Sequence, residues 1–198
     1  KERWSYKADS LTSSSDAFLG LAVSDNSYYS DDPVVIALGY TGSRMCEGCD
    51  LLDGNDAFFQ IIGSDGTVLK TEQFGTHGFD NFEGIAVADD GSFYISGEVS
   101  TYAYPGFTNA GFTDVVLRKF NNEGSHEWTQ QFGTSSHDYG ALKGVTIGPN
   151  GNIFIAGEVS GALDGSYIGQ TDIFVREYDP DGTLVWSTQI GDLDYDRV

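Results

Sequence analysis

The sequence predicts an all-β fold built from repeated four-stranded antiparallel sheets. An internal repeat carries the prediction: residues 113–133 align without a gap with residues 171–191 and with residues 55–75, at a constant spacing of 58. A second segment, 84–100, recurs at 144–160. Turns such as Asp-Gly and Asn-Gly separate apolar runs, and no segment has the 3.6-residue period of a helix with caps.

The composition fits a folded, turn-rich protein, with 26 Gly among 198 residues and 14 % aromatic residues. The formal net charge of −20 disfavours nucleic acid and anionic membranes as partners, because phosphate binding needs clustered Lys and Arg. Two interpretations of the charge stay open: bound cations, or solubility alone. No apolar stretch is long enough to span a bilayer, so membrane insertion is not expected.

The repeats divide the whole chain, 1–198, into successive units of one segment. Residues 1–19 hold the last strand of a preceding unit and a crossover, and residues 192–198 begin the next crossover. Three full units lie between them, at 20–75, 84–133 and 144–191. The first of these has longer loops than the other two.

The second unit illustrates the four predicted strands. Gly84–Ala88 and Phe93–Gly97 flank Asp90-Gly91, and Asn-Gly or Asp-Gly between apolar runs is the strongest short hairpin signal. Asp114–Phe120 and Ser125–Phe132 flank a turn around Glu123-Gly124. The corresponding turns in the other units lie at Asn150-Gly151, Asp65-Gly66 and Asp181-Gly182.

Tandem repeats of nearly 60 residues with four antiparallel strands predict β-propeller blades. A closed propeller has about four to eight blades, so about three blades cannot close a ring. Either the chain is an excerpt of a larger propeller, or several chains complete a ring or stack into a filament. We expect the excerpt, because an open array leaves sheet edges exposed to pairing.

The repeat also has a residue pattern, best developed from Asp172 to Gly191 and from Gly144 to Gly157. It consists of Asp-x-Phe-Val, Asp-x-Asp-Gly, a Trp with Gly five residues on, and Gly-Asn-x-x-x-x-Gly. This pattern resembles the SBBP-type β-propeller repeat over nearly the whole chain, and departs from it at Lys70, which replaces the Trp. The resemblance implies a propeller, commonly in secreted or surface proteins, without a defined catalytic set.

Three tryptophans recur in the last strands of the units: Trp4, Trp128 and Trp186. A large ring at a repeated position can fill the space between neighbouring blades and bury much apolar area, so we expect these residues to pack the blades together. Stacking on a ligand is the alternative.

Aspartates recur at the end of the blades that carries the longer loops. Asp56, Asp114 and Asp172 each open a third strand, and Asp80, Asp138 and Asp196 each follow the Gly at the end of a fourth strand by five residues; Asp194 lies beside the last of them. Ca²⁺ takes several oxygen ligands, so these seven carboxylates are candidate calcium ligands. The alternative is that they accept backbone N–H bonds and hold the loops.

The two cysteines, Cys46 and Cys49, lie in the long loop of the first full unit. Zinc needs four ligands and no second Cys pair exists, and a redox role would need a βαβ context that is absent. We expect a disulfide that staples the loop, which places the protein in an oxidising compartment, extracellular or at a cell surface.

No Gly-x-Ser-x-Gly elbow, P-loop or His-Glu-x-x-His motif occurs, so we expect a protein that is not an enzyme, with Ca²⁺ as its one candidate cofactor. The leading hypothesis is a binding, adhesion or scaffolding module of a larger surface protein. Its partner would be a protein or glycan ligand, or other copies in an assembly. A structural subunit of an extracellular fibre or appendage, and a propeller lyase or glycosidase, are the alternatives.

Overall fold

The computed structural model describes residues 15–49, 52, 54–163 and 169–196, and these residues form three antiparallel sheets of four strands each. The first sheet holds β1 (Asp16–Ser24), β2 (Val34–Thr41), β3 (Asp56–Ile62) and β4 (Val68–Phe74). The second holds β5 (Asp80–Val87), β6 (Phe93–Ser100), β7 (Thr113–Phe120) and β8 (His126–Phe132). The third holds β9 (Asp138–Ile147), β10 (Ile153–Val159), β11 (Asp172–Tyr178) and β12 (Leu184–Ile190).

Within each sheet the strands pair in chain order, so every sheet is a simple meander. The sheets themselves also follow one another in chain order, with the first contacting the second and the second contacting the third. The predicted all-β class is therefore confirmed, and in the described part of the chain the three sheets do not close into a ring. No helix long and apolar enough to cross a membrane occurs among the described residues.

The turn between the third and fourth strands needs glycine in every sheet. Gly66, Gly124 and Gly182 have φ angles of 88°, 69° and 83°, in the left-handed region where a Cβ is unfavourable. Each glycine N–H donates to the carbonyl three residues earlier, at 2.8–2.9 Å, and so closes the turn. The Asp-Gly and Glu-Gly pairs in the sequence mark these turns because few other residues adopt this backbone conformation.

The first strand of each sheet begins earlier than the sequence predicts. The observed starts are Asp16, Asp80 and Asp138, rather than Gly20, Gly84 and Gly144. The physical reason is a β-bulge: the pairing of β5 with β6 shifts between Phe82 and Gly84, β1 has the same one-residue shift, and β9 has a longer irregularity between Gly140 and Val145. An extra residue breaks the alternation of side chains, so the pattern read from the sequence starts only after the bulge.

Aromatic rings of one sheet pack on the next sheet. Phe74 of β4 lies 5.4 Å from Phe82 and 5.6 Å from Phe120, ring centre to ring centre, and both partners belong to the second sheet. Phe132 of β8 lies 5.4 Å from Phe174 of the third sheet. The first two pairs belong to an apolar cluster between the first and second sheets, and the third to a cluster between the second and third sheets; burial of these rings and of the aliphatic side chains around them stabilises the packing.

At the repeat position of the predicted packing tryptophans, the side chains of the first and second sheets contact the turn of the following sheet. Trp128 donates from Nε1 to the carbonyl of Pro180 at 3.1 Å, and its ring lies 2.9 Å from the place a Cβ would take on Gly182. Lys70 replaces Trp in the first sheet and donates from Nζ to Gly124 O at 2.9 Å.

The other two predicted packing residues differ from Trp128. Trp186 is 40 % exposed, and its ring contact is with Phe154 of its own sheet. Trp4 lies outside the described residues.

Cys46 and Cys49 are bonded as a disulfide in the loop between β2 and β3, with their Cα atoms 5.3 Å apart. Because only two residues separate them, the bond constrains the loop locally and leaves the pairing of the sheet strands unaffected.

Candidate binding site at the loop end of the sheets

Long loops and crossovers meet at one end of the three sheets, which we call the loop end. Its described residues are 42–49, 52, 54–55, 75–79, 101–112, 133–139, 160–163, 169–170 and 191–196. Backbone hydrogen bonds tie loop to crossover: Phe112 N donates to Ser136 O, and Ser100 N donates to Phe79 O, both at 3.1 Å. The opposite end carries the β-turns described above.

A buried Asp–Gln pair stands at the loop end of every sheet. Asp56, Asp114 and Asp172 open the third strands and are fully buried. Each accepts a hydrogen bond on Oδ2 from a Gln Nε2 of the adjacent fourth strand; the donors are Gln73, Gln131 and Gln189, at 2.8, 2.9 and 2.7 Å. A charge-assisted bond of this kind offsets part of the cost of burying the carboxylate.

The same glutamines hold the loops that join the second and third strands. The Oε1 atoms of Gln73, Gln131 and Gln189 accept from the backbone N–H groups of Met45, Tyr104 and Leu163, at 3.0, 2.9 and 2.9 Å. Each glutamine therefore bonds a strand carboxylate with one end of its amide and a loop with the other. We call this arrangement the Asp–Gln clamp.

The second set of repeated aspartates holds the crossovers. Asp80 Oδ2 accepts from the backbone N–H of Thr76 at 2.7 Å, and Asp138 and Asp196 accept in the same way from Thr134 and Asp192. In the first two cases the threonine Oγ1 also donates to the carboxylate. These are the loop-holding bonds that the sequence analysis gave as the alternative to calcium.

The two sets of aspartates meet around the glycine that follows each fourth strand. A Cβ on Gly75 would lie 2.6 Å from Asp80 Oδ2 and 2.9 Å from Asp56 Oδ1. On Gly133 it would lie 2.5 Å from Asp114 Oδ1 and 2.7 Å from Asp138 Oδ2. Only glycine leaves room for both carboxylates at these positions, since real Cβ contacts are longer.

Burial makes three of these carboxyl groups, Asp56, Asp80 and Asp138, hard to ionise. Burial raises the pKa of Asp80 to about 7; hydrogen bonds from Thr76 lower the pKa, and the neighbouring Asp56 raises it further. Burial likewise raises the pKa values of Asp56 and Asp138. Asp56 Oδ1 is buried and accepts no hydrogen bond in the described part of the chain.

The predicted calcium ligands are thus brought together only in pairs. Asp56 lies near Asp80, and Asp114 lies near Asp138. Asp194 donates its backbone N–H to Asp192 Oδ1 at 2.8 Å. No group of three or more His, Cys, Asp or Glu residues in the described ranges is arranged to hold a metal ion, and calcium binding stays a prediction.

The sequence analysis missed a set of exposed aromatic residues. Phe79, His137 and Tyr195 each immediately precede a crossover aspartate, at the spacing of 58, and all three are exposed. The exposed fractions are 66 % for Phe79 and 61 % for Tyr195. The 58-residue periodicity could have revealed this set, since an exposed aromatic ring repeated at one position is unusual.

Further rings stand beside this set. Phe112, 64 % exposed, is stacked on His137 with ring centres 4.9 Å apart, and Tyr139 lies parallel to His137 at 6.1 Å. Tyr102 lies edge-on to His77 at 5.8 Å. The loop end thus combines buried, hydrogen-bonded carboxylates with solvent-facing rings.

Comparison with known proteins assigns the chain to no family. No protein-family model matches the chain, and a search of curated proteins finds no match either. The resemblance to SBBP-type repeats stays a prediction.

Proposed function

We propose that the chain is a β-propeller segment of SBBP-type repeats that acts outside the cell as a non-catalytic binding module. The observation that carries the proposal is the Asp–Gln clamp, which holds a long loop in the same way in each of three sheets. Such a clamp keeps the loop backbone in place beside exposed aromatic rings. Variable loops on a rigid repeated scaffold are where binding residues concentrate in repeat proteins.

The sheet arrangement supports the propeller part of the proposal. Three meander sheets pack face to face in chain order, through the apolar clusters between β1–β4, β5–β8 and β9–β12. This is how successive blades are related in a propeller. The disulfide between Cys46 and Cys49 supports an oxidising, extracellular location.

The state of the carboxylates supports binding over catalysis. A general acid or base must reach the proton that it transfers, within about 3 Å of the substrate atom. Asp56, Asp114, Asp138 and Asp172 are fully buried and engaged with amide or threonine donors. Their repetition in successive sheets also fits a structural role, since an active site needs its acids in one place only.

Co-sedimentation with insoluble extracellular material tests the proposal. Labelled protein is incubated with cell-wall and matrix fractions, and the bound fraction is measured against concentration. We expect saturable binding that Phe112→Ala weakens. Tyr28→Ala is the matched control, because Tyr28 is equally exposed, at 66 %, but lies at the opposite end of the first sheet. Equal loss with both variants, or no binding to any fraction, would contradict the proposal.

A fibre subunit is the second candidate function. On the outer side of the third sheet, Trp186 and Ile190 are 40 % and 62 % exposed, although Trp128 and Phe132 at the same repeat positions pack on a following sheet. An exposed apolar face of this kind fits either a further blade or another copy of the chain. Sedimentation velocity across a hundredfold concentration range, with Ile190→Asp as the comparison, tests it: a monomer at every concentration would exclude the fibre.

A further inference from the structure

Five large aromatic side chains of the loop end are solvent-exposed in the described ranges: Phe79, Tyr102, Phe112, Tyr139 and Tyr195. Exposing a large ring forgoes the stabilisation of burying it, roughly 25 cal/mol for each Å². Scattered exposed apolar residues are ordinary, but these five share one end of the molecule, and two of them, with His137, recur at one repeat position. The arrangement indicates a surface that is covered when a ligand is bound.

The rings at the junction of the second and third sheets are held in fixed orientations. Phe112 and His137 are stacked with an angle of 17° between their planes, and Tyr139 is within 10° of the plane of His137. Thr113 Oγ1 lies 3.4 Å from His137 Nδ1, and Phe112 N donates to Ser136 O. A surface ordered before binding loses little conformational entropy on binding.

The spacing of the rings along the repeats indicates an extended ligand with its own repeat. One exposed ring precedes the crossover aspartate in each sheet: Phe79, His137 and Tyr195. Polar residues beside these rings include Ser100 and Ser136, which are both partly exposed. A protein interface usually has a continuous apolar core, whereas separate rings among hydroxyl groups match a chain of sugars, each with one apolar face and a polar rim.

The charge of the chain selects among sugars. With 30 acidic and 10 basic residues, the protein repels polyanions, including uronic and sulfated polysaccharides. A neutral pyranose presents C–H groups that carry partial positive charge to the electron-rich face of an aromatic ring. We infer that the loop end binds neutral polysaccharide chains, with pyranose rings stacked on the exposed rings Phe112 and Tyr139 and, elsewhere on the loop end, on Phe79 and Tyr195; this inference rests on the proposed binding function.

Affinity electrophoresis tests the inference directly. The protein is run in native gels containing one of five neutral polymers: hydroxyethylcellulose, laminarin, galactomannan, arabinoxylan or soluble starch. Alginate serves as the anionic comparison. We expect at least one neutral polymer to retard the protein, and alginate to have no effect.

Substitutions then locate the contact. Phe112→Ala and Tyr195→Ala are each expected to weaken retardation about 3- to 10-fold, as loss of one ring contact does. Tyr28→Ala at the opposite end is expected to change it less than twofold. Because all three residues are exposed, circular dichroism should show an unchanged fold.

Three results would overturn the inference: no retardation by any of the five polymers, retardation by alginate alone, or retardation that the loop-end variants leave unchanged. A separate result distinguishes failure of this inference from failure of the proposed binding function. If the chain sediments with extracellular material only until that material is treated with protease, the binding module stands, and its ligand is a protein.

Discussion

The strongest quantitative prediction concerns the proton on Asp80. Burial raises the pKa of this carboxyl group to about 7, against an ordinary value of 3.8. The unfolded chain therefore releases the proton near pH 4, while the folded chain keeps it until about pH 7. The contribution of Asp80 to the free energy of unfolding is therefore fully present below pH 3.8 and is lost as the pH rises through 7.

The size of the effect follows from the difference between the two pKa values. At 1.36 kcal/mol for each pH unit, a difference of about three units corresponds to about 4 kcal/mol as an upper value. Asp56 Oδ1, which accepts no hydrogen bond in the described part of the chain, and Asp80 Oδ2 both lie beside Gly75. Ionisation of Asp80 therefore places a second negative charge near Asp56 in a buried site, and the positive charge of Arg118 offsets only part of this cost.

Asp80→Asn mimics the protonated group and tests the reasoning. We expect urea unfolding between pH 4 and pH 8 to show a steeper fall in stability for the wild type than for the variant, in which only the other buried carboxyl groups with raised pKa values, such as Glu98, still contribute. The variant should therefore be the more stable protein at pH 8. Asp196→Asn is the control, since Asp196 holds the same position in the third sheet but is partly exposed. Parallel pH profiles for wild type and Asp80→Asn would refute the argument.

Three further predictions rest on single side chains. Gln131→Leu removes the donor to Asp114 and the acceptor for a loop N–H, so the free energy of unfolding in urea should fall by about 3 kcal/mol. Trp128→Ala should lower the thermal midpoint clearly more than Trp186→Ala, because only the first ring has a described contact with a following sheet; equal shifts would contradict this role. Burial raises the pKa of Glu98 to about 7, so Glu98→Gln should stabilise the protein at pH 8 and have little effect at pH 4; a constant difference across pH would count against the shift.

Much of the fold could be predicted from the sequence because its signals are local. The turns at Gly66, Gly124 and Gly182 depend on a backbone conformation that glycine adopts readily, so they stand out from single residues. The bulge near Gly84 could not be read in the same way. An extra residue in a strand leaves no residue type of its own, and it appears only as a break in the alternation.

Only part of the candidate site could be predicted, because its aspartates recur in the sequence whereas their partners are set by tertiary structure. The repeated aspartates were visible, but their partners were not, because Gln73, Gln131 and Gln189 lie within polar stretches that resemble an exposed strand. Their role depends on where the loop backbone passes, which is set by tertiary structure. The loop-holding role of the crossover aspartates likewise depends on hydrogen bonds to crossover N–H groups, whose positions tertiary structure sets.

The contact between Trp128 and the turn at Gly182 joins two unlike surfaces. One sheet presents the side chain of its last strand, and the next presents a turn that has no side chain at its tip. Such a joint is heterologous, so it has a polarity: units can be added only in one orientation, and two identical faces cannot use it to pair symmetrically. A methyl group on Gly182 would therefore prevent the third sheet from packing on Trp128 of the second sheet. The outer face of the third sheet would still be able to pack against a further sheet.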